Sequence, residues 1–188
     1  MTPASRLTAV ALATQAGLAA VGLMAAGAAR VPVRWGFERP VIGVCTGLLA
    51  AALLAAANYR WLHAPTGVFT RVRSAVDEVL VPTFAILSPP QIVVVSLAAG
   101  VGEELFFRGW LQAVIGWVPA ALAFGVAHVA GARMLAFGVW ATAMGLVLGG
   151  LALATGGLLA PVTAHACYDV LAFHYLGTAA RRRADEGV

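Results

Sequence analysis

The sequence predicts an all-α protein, a polytopic transmembrane helical bundle of about six spans with one further helix at the membrane surface. Of its 188 residues, 61% are hydrophobic and 11% are charged, whereas soluble domains contain about 25% charged residues. The mean hydropathy is +0.89, and apolar runs of the length that crosses a bilayer, about 20 residues, recur along the chain. Six such spans would use most of the sequence, so we expect residues 1–188 to form a single integral membrane domain.

The N-terminal region, residues 7–67, contains the first two predicted spans. The first covers residues 7–29 between Arg6 and Arg30. A signal peptide is the alternative, but its apolar region covers only about 7 to 15 residues, so we expect a retained helix. The second span covers residues 41–62 and follows Pro40, whose fixed φ angle suits a first helical turn.

The segment 68–87 differs from its neighbours because charged and apolar residues alternate in it at roughly helical spacing. The charged positions are Arg71, Arg73, Asp77 and Glu78. This pattern predicts an amphipathic helix that lies at the membrane interface.

Residues 91–177 are predicted to form a four-helix core, followed by a basic tail at residues 178–188. The sequence Ser88-Pro89-Pro90 separates this core from the interfacial helix. The predicted helices cover residues 91–115, 120–130, 134–154 and 161–176. The third is rich in Gly and Ala, which allow membrane helices to pack closely, so we expect it to support the site from outside.

The core contains three clusters of ionisable residues at predicted membrane depth. A charged side chain near the bilayer centre costs about 2.5 to 3.5 kcal/mol on insertion scales, so each needs a reason. The expected reason is a polar site enclosed by helices. The clusters are Glu103-Glu104-Leu105-Phe106-Phe107-Arg108, Phe124-Gly125-Val126-Ala127-His128 and His165-Ala166-Cys167-Tyr168-Asp169.

The two glutamates of the first cluster are predicted to differ in role. Glu104 and Arg108 are four residues apart and face one another along a helix, where an ion pair would brace the bundle. Glu103 points about 100° away, which leaves it free to act as a general base. The alternative is a buried ion-pair network without chemistry.

The other two clusters leave two mechanisms open. Glu103 and His128 could deprotonate a water molecule while His165 and Asp169 stabilise an oxyanion. Alternatively, the two histidines could bind one divalent metal such as zinc, with Asp169 and Glu103 as further ligands. The helical His-Glu-x-x-His zinc motif is absent, and the spacing does not decide between the two.

The motifs EExxxR, FxxxH and HxxxD, in this order, resemble those of the CPBP family of intramembrane endopeptidases. This family comprises CAAX prenyl proteases and bacteriocin-processing enzymes, and the resemblance covers about residues 98–173. It implies that Glu103 and His128 activate water and that His165 and Asp169 complete the catalytic site. Glu104, Arg108 and Phe124 would support that site.

One position departs from the family pattern. Eukaryotic prenyl proteases have Asn where this chain has Asp169, and an ionised carboxylate would repel an oxyanion. Asp169 would suit a metal ligand or a group that orients His165. A protonated Asp169 could instead donate a hydrogen bond.

The expected partners are the lipid bilayer and a membrane-embedded or membrane-adjacent peptide or protein substrate. No nucleic acid is expected, because the net charge of +4 comes from arginines that flank the apolar segments. The alanine-rich, lysine-free composition is typical of a high-GC bacterium, which predicts the bacterial cytoplasmic (inner) membrane. A bacteriocin-immunity or scaffold protein of the same fold is one alternative, and a proton-coupled transporter with a carboxylate relay is another.

Overall fold

The computed structural model describes residues 1–62 and 67–186 of the chain. Over these residues the chain forms seven helices and no strand, which confirms the all-α prediction. Residues 63–66 of the predicted two-span region and residues 187–188 of the predicted tail lie outside the described part. The helices are α1 (Pro3–Ala28), α2 (Pro40–Leu62), α3 (67–85), α4 (Pro89–Ile115), α5 (Trp117–Ala127), α6 (Leu135–Thr155) and α7 (Leu159–Glu186).

The helix ends follow local signals in the sequence. Helix α1 begins after Thr2, whose Oγ1 accepts a hydrogen bond from the Ser5 amide at 3.1 Å, as an N-cap residue does. Helix α4 begins after Ser88, whose amide donates to Gln91 Oε1 at 3.0 Å, one half of a capping box. Between α4 and α5 the chain turns at Gly116 with a φ of 92°, which glycine adopts without steric cost.

Two elements differ from their predicted form. Helix α7 continues to Glu186, so the backbone predicted as a basic tail prolongs the last helix. Helices α3 and α4 each contain a π-helical turn, at Val76–Leu80 and Leu105–Leu111. Such turns are frequent at functional sites, and the second follows Glu104 directly.

Three of the described helices are long and apolar enough to cross a membrane, namely Pro3–Ala28, Pro40–Arg60 and Ala132–Thr155. A fourth span results if α3 and α4, which are bent by 117° at their junction, form one broken span. Helix α5 has 11 residues, about 16 Å of helix against a hydrocarbon core of about 30 Å. The predicted number of six spans therefore stays a prediction.

Helix α7 occupies the centre of the bundle and packs against α2, α3, α4 and α6, while α1 packs against α4. Two glycines of α4 permit these approaches. A Cβ at Gly100 would lie 2.9 Å from the Ala166 Cβ of α7, and one at Gly102 would lie 2.5 Å from the Gln15 carbonyl oxygen of α1. Glu103 follows directly, so it lies where α4 is in close contact with both neighbours.

Helix α3, predicted to lie at the membrane interface, packs its apolar face on the bundle. Val76 and Val81 are buried against Leu176, and further apolar contacts come from Phe137 and Phe173. The helix therefore covers one wall of the interior. Its position relative to the membrane stays a prediction.

Candidate active site

The four predicted catalytic residues line one internal cavity. It has a volume of about 320 Å³, and all seven helices contribute side chains to its wall. Glu103, His128, His165 and Asp169 are among its polar lining residues, and most of the others are apolar. The three clusters, separated in the sequence, therefore converge on one space.

The predicted ion pair between Glu104 and Arg108 is present and buried. Arg108 Nη1 lies 2.8 Å from Glu104 Oε1, and the two side chains are 1% and 0% exposed. Arg108 Nη2 also donates to the Gly145 carbonyl of α6 at 3.1 Å. The guanidinium lies 4.4 Å from the centre of the Phe124 ring, within range of a cation–π contact. Arg108 thus links α4 to α5 and α6.

Glu104 also orients His165. The His165 Nδ1 lies 2.8 Å from Glu104 Oε1. Because an ionised carboxylate only accepts, Nδ1 carries the hydrogen and Nε2 faces the cavity. His165 Nε2 lies 3.6 Å from Asp169 Oδ2 and 4.0 Å from Glu103 Oε2. The sequence indicated Asp169 as a residue that could orient His165, but His165 Nδ1 donates its hydrogen bond to Glu104, 61 positions away.

His128 follows the last residue of α5, and Phe124 determines its orientation. The His128 Nδ1 lies 2.8 Å from the Phe124 carbonyl oxygen, and the ring centres are 4.4 Å apart. A carbonyl oxygen only accepts, so Nδ1 donates and Nε2 points to the site. His128 Nε2 lies 3.7 Å from Glu103 Oε2. The four-residue spacing of FxxxH therefore brings the carbonyl and ring of Phe124 to the histidine.

The two carboxylate oxygens of Glu103 have different surroundings. Oε1 accepts a hydrogen bond from Gln15 Nε2 of α1 at 2.8 Å. Oε2 is buried and lacks a hydrogen-bond partner among the described residues. The prediction that Glu103 is free is therefore wrong for one of its oxygens. Gln15 was not predicted from the sequence as a site residue. The feature that could have indicated it is an amide side chain in the middle of an apolar span.

The site contains donor atoms of the kind that zinc binds. These are the Nε2 atoms of His128 and His165 and the carboxylates of Glu103 and Asp169, and an anchored Nδ1 is typical of metal-bound histidines. Over the described ranges, no three His, Cys, Asp or Glu side chains are close enough together to hold a metal ion in this arrangement. The donor chemistry of these residues suits a divalent metal, whereas their spacing in this arrangement does not.

The segment that contains these residues is similar in sequence to a known protein family. Residues 85–171 match the family model of type II CAAX prenyl endopeptidase Rce1-like proteins. The uncharacterized protein YpbD of Bacillus subtilis (strain 168) is 34% identical over 88 residues, which is 47% of this chain and 47% of that protein. This chain therefore matches about half the length of that relative. No solved structure matches it.

The match confirms the resemblance to the CPBP family that the three motifs indicated. All seven residues predicted for the site or its support lie within the matched segment. Gln15 lies outside it. The match and the apolar helices together support a multi-pass membrane protein.

The adjacent residues Glu103 and Glu104 provide a matched pair of variants for the stability of the site. Glu104→Gln removes the charge that compensates the buried Arg108, so we expect it to lower the free energy of unfolding by about 3 kcal/mol. Glu103→Gln makes the same chemical change beside it, where one oxygen has no partner, and should change the stability by less than about 1 kcal/mol. Thermal and SDS-induced unfolding in detergent measures both. Equal effects would contradict the bracing role of Glu104.

Proposed function

We propose, from the match of residues 85–171 to the Rce1-like family and from the site geometry, that this chain is an intramembrane endopeptidase. It hydrolyses a peptide bond of a membrane-associated protein or peptide by means of a water molecule that Glu103 and His128 activate. The substrate that we favour is a peptide or a C-terminal membrane anchor, and the location that we favour is a bacterial cytoplasmic membrane.

The observation that carries the proposal is that two hydrogen-bond acceptors, Glu103 Oε2 and His128 Nε2, face one another in the cavity. Glu103 Oε2 and His128 Nε2 are 3.7 Å apart, too far for a direct hydrogen bond. An ionised carboxylate and an imidazole whose proton is on Nδ1 are both acceptors at these atoms. A water molecule between them would donate one hydrogen to each, which satisfies the unpartnered Oε2.

This arrangement suits general-base hydrolysis. As the water oxygen attacks the peptide carbonyl carbon, its proton passes to Glu103, and the carbonyl π electrons move to the oxygen. In its protonated form, His165 Nε2 would donate to that oxyanion. Collapse of the tetrahedral intermediate breaks the C–N bond, and Glu103 returns its proton to the leaving nitrogen.

A divalent metal is the second mechanistic candidate, favoured by the two histidines whose Nδ1 atoms are anchored. His128, His165, Asp169 and Glu103 are the residues that would hold it. When bound, such a metal lowers the pKa of its water and polarises the substrate carbonyl. Glu104 and the Phe124 carbonyl would then keep the histidines in the tautomer that binds metal through Nε2.

Cleavage by purified variants tests the activity. We expect the parent to cleave at least one of two quenched fluorogenic peptides, an apolar transmembrane peptide or a farnesylated peptide with a CAAX terminus. Glu103→Gln and His128→Ala should each lower kcat/KM by at least about 100-fold, because general-base catalysis contributes about 10² to 10⁴. If both variants cleave as well as the parent, the protease proposal fails. Solute uptake in liposomes that the same variants abolish, without cleavage, would favour a transporter.

Metal removal separates the two mechanisms. Dialysis against 1,10-phenanthroline, followed by elemental analysis, should leave cleavage unchanged if Glu103 and His128 alone activate the water. This is the result that we expect, since no three of the donors converge closely in the described ranges. Loss of activity that returns on addition of zinc would instead assign the four residues as metal ligands.

The role of Asp169 can be tested by comparing Asp169→Asn with Asp169→Ala. Asp169 is next to His165 Nε2, at 3.6 Å, where an amide would donate a hydrogen bond to an oxyanion. We expect Asp169→Asn to retain or exceed the parental kcat and Asp169→Ala to lower it by about 10-fold or more. If Asp169→Asn loses as much as Asp169→Ala, the carboxylate itself is required.

A further inference from the structure

The side chain of Gln15 is unusual for its position. It lies near the middle of α1, a helix long and apolar enough to span a membrane. A buried amide in an apolar environment is costly unless both of its polar ends are satisfied. The Nε2 of Gln15 donates to Glu103 Oε1 at 2.8 Å. The Oε1 of Gln15 itself is buried and has no hydrogen-bond partner in the described part of the chain.

That imbalance argues against a role in helix adhesion alone. Polar side chains do hold membrane helices together, but an apolar residue of similar size would fill the same space without an unpaired acceptor. Among residues 1–62 and 67–186, the one side chain that pairs with this amide is the carboxylate of Glu103. The role of the Gln15 amide therefore lies in its effect on the Glu103 carboxylate.

The hydrogen bond determines which oxygen of Glu103 faces the histidines. With Oε1 engaged by Gln15, Oε2 points toward His128 Nε2 at 3.7 Å and His165 Nε2 at 4.0 Å. A glutamate side chain has three rotatable bonds, and its terminal torsion is broad. Without the amide, the carboxylate could rotate within the cavity, which Gln15 also lines.

The backbone of α4 is adapted to this contact. A Cβ at Gly102 would lie 2.5 Å from the Gln15 carbonyl oxygen and 2.7 Å from its Oε1. Only glycine lets α1 come this close immediately before Glu103. The amide is thus held between Gly102 and Glu103.

We propose that Gln15 is a positioning residue, which holds Glu103 Oε1 so that Oε2 is aimed at the histidines. This inference rests on the proposed function and extends the active site to α1, outside the segment 85–171 that matches the Rce1-like family. The removal of such a supporting hydrogen bond typically costs about 10- to 100-fold in activity. Because the hydrogen bond of Gln15 is made to the base Glu103, the loss should fall on kcat.

The test compares Gln15→Met with Thr8→Val. Met fills nearly the same volume as Gln but cannot donate, so we expect kcat on the cleaved fluorogenic peptide to fall by about 10- to 100-fold with KM within about two-fold. Thr8 accepts the other described side-chain hydrogen bond between α1 and α4, from Gln91 Nε2 at 3.1 Å. Thr8→Val therefore weakens the same helix pair and should leave kcat unchanged. The milder Gln15→Asn, whose amide is shorter by one methylene, should lie between parent and Gln15→Met.

Equal kcat losses in Gln15→Met and Thr8→Val, in proportion to their losses of thermal stability, would show helix adhesion alone and overturn the inference. An unchanged kcat in Gln15→Met would also overturn it, provided that Glu103→Gln inactivates the same preparation. If Glu103→Gln cleaves like the parent, it is the proposed function that fails.

Infrared spectroscopy tests the contact between Gln15 and Glu103 without cleavage. The carboxyl band assigned by Glu103→Gln should shift in Gln15→Met and stay in Thr8→Val, and an unshifted band in Gln15→Met would refute the contact.

Discussion

A single buried oxygen, Glu104 Oε1, organises the core of this bundle. It lies 2.8 Å from both Arg108 Nη1 and His165 Nδ1, and its side chain is 0% exposed. A carboxylate away from water is stable only when charged and hydrogen-bonding partners compensate for its lost hydration. Arg108 lies on the same helix, but it donates on to α6, and His165 lies on α7. The requirement to compensate one charge therefore holds three helices in register.

The same carboxylate prepares the chemistry that we propose. By engaging Nδ1 of His165 it directs Nε2 into the cavity, and the Phe124 carbonyl does the same for His128. Both hydrogen bonds are made before any substrate arrives, and both acceptors belong to helices. Pre-oriented groups need no reorganisation during the reaction, which is the main source of electrostatic catalysis. The bracing residues and the reacting residues thus form one network.

Close helix packing is the second requirement of the site. Gly100 and Gly102 bring α7 and α1 against α4 on either side of Glu103. A larger residue at either position would force the neighbouring helix away from α4. The small residues that favour membrane helix association thus also determine which side chains reach Glu103.

The sequence by itself determined the helical class, the bounds of most helices and the identity of the candidate residues. These properties depend on local signals: apolar length, proline and glycine breaks, and side chains four residues apart on one helix. Local spacing correctly paired Glu104 with Arg108. It also brought His165 and Asp169 to one face of α7.

Only the tertiary structure decided which partners meet across helices. The contacts of Glu104 with His165 and of Gln15 with Glu103 join residues 61 and 88 positions apart. Helical periodicity does not predict such pairs, because it describes which residues share a face of one helix and not which helices are in contact. Local spacing therefore placed Asp169 on the same helix face as His165 and left Glu103 without a partner. The physical reason is that helix register and rotation about the helix axes are set by packing, which brings α1, α4 and α7 together at a single carboxylate pair.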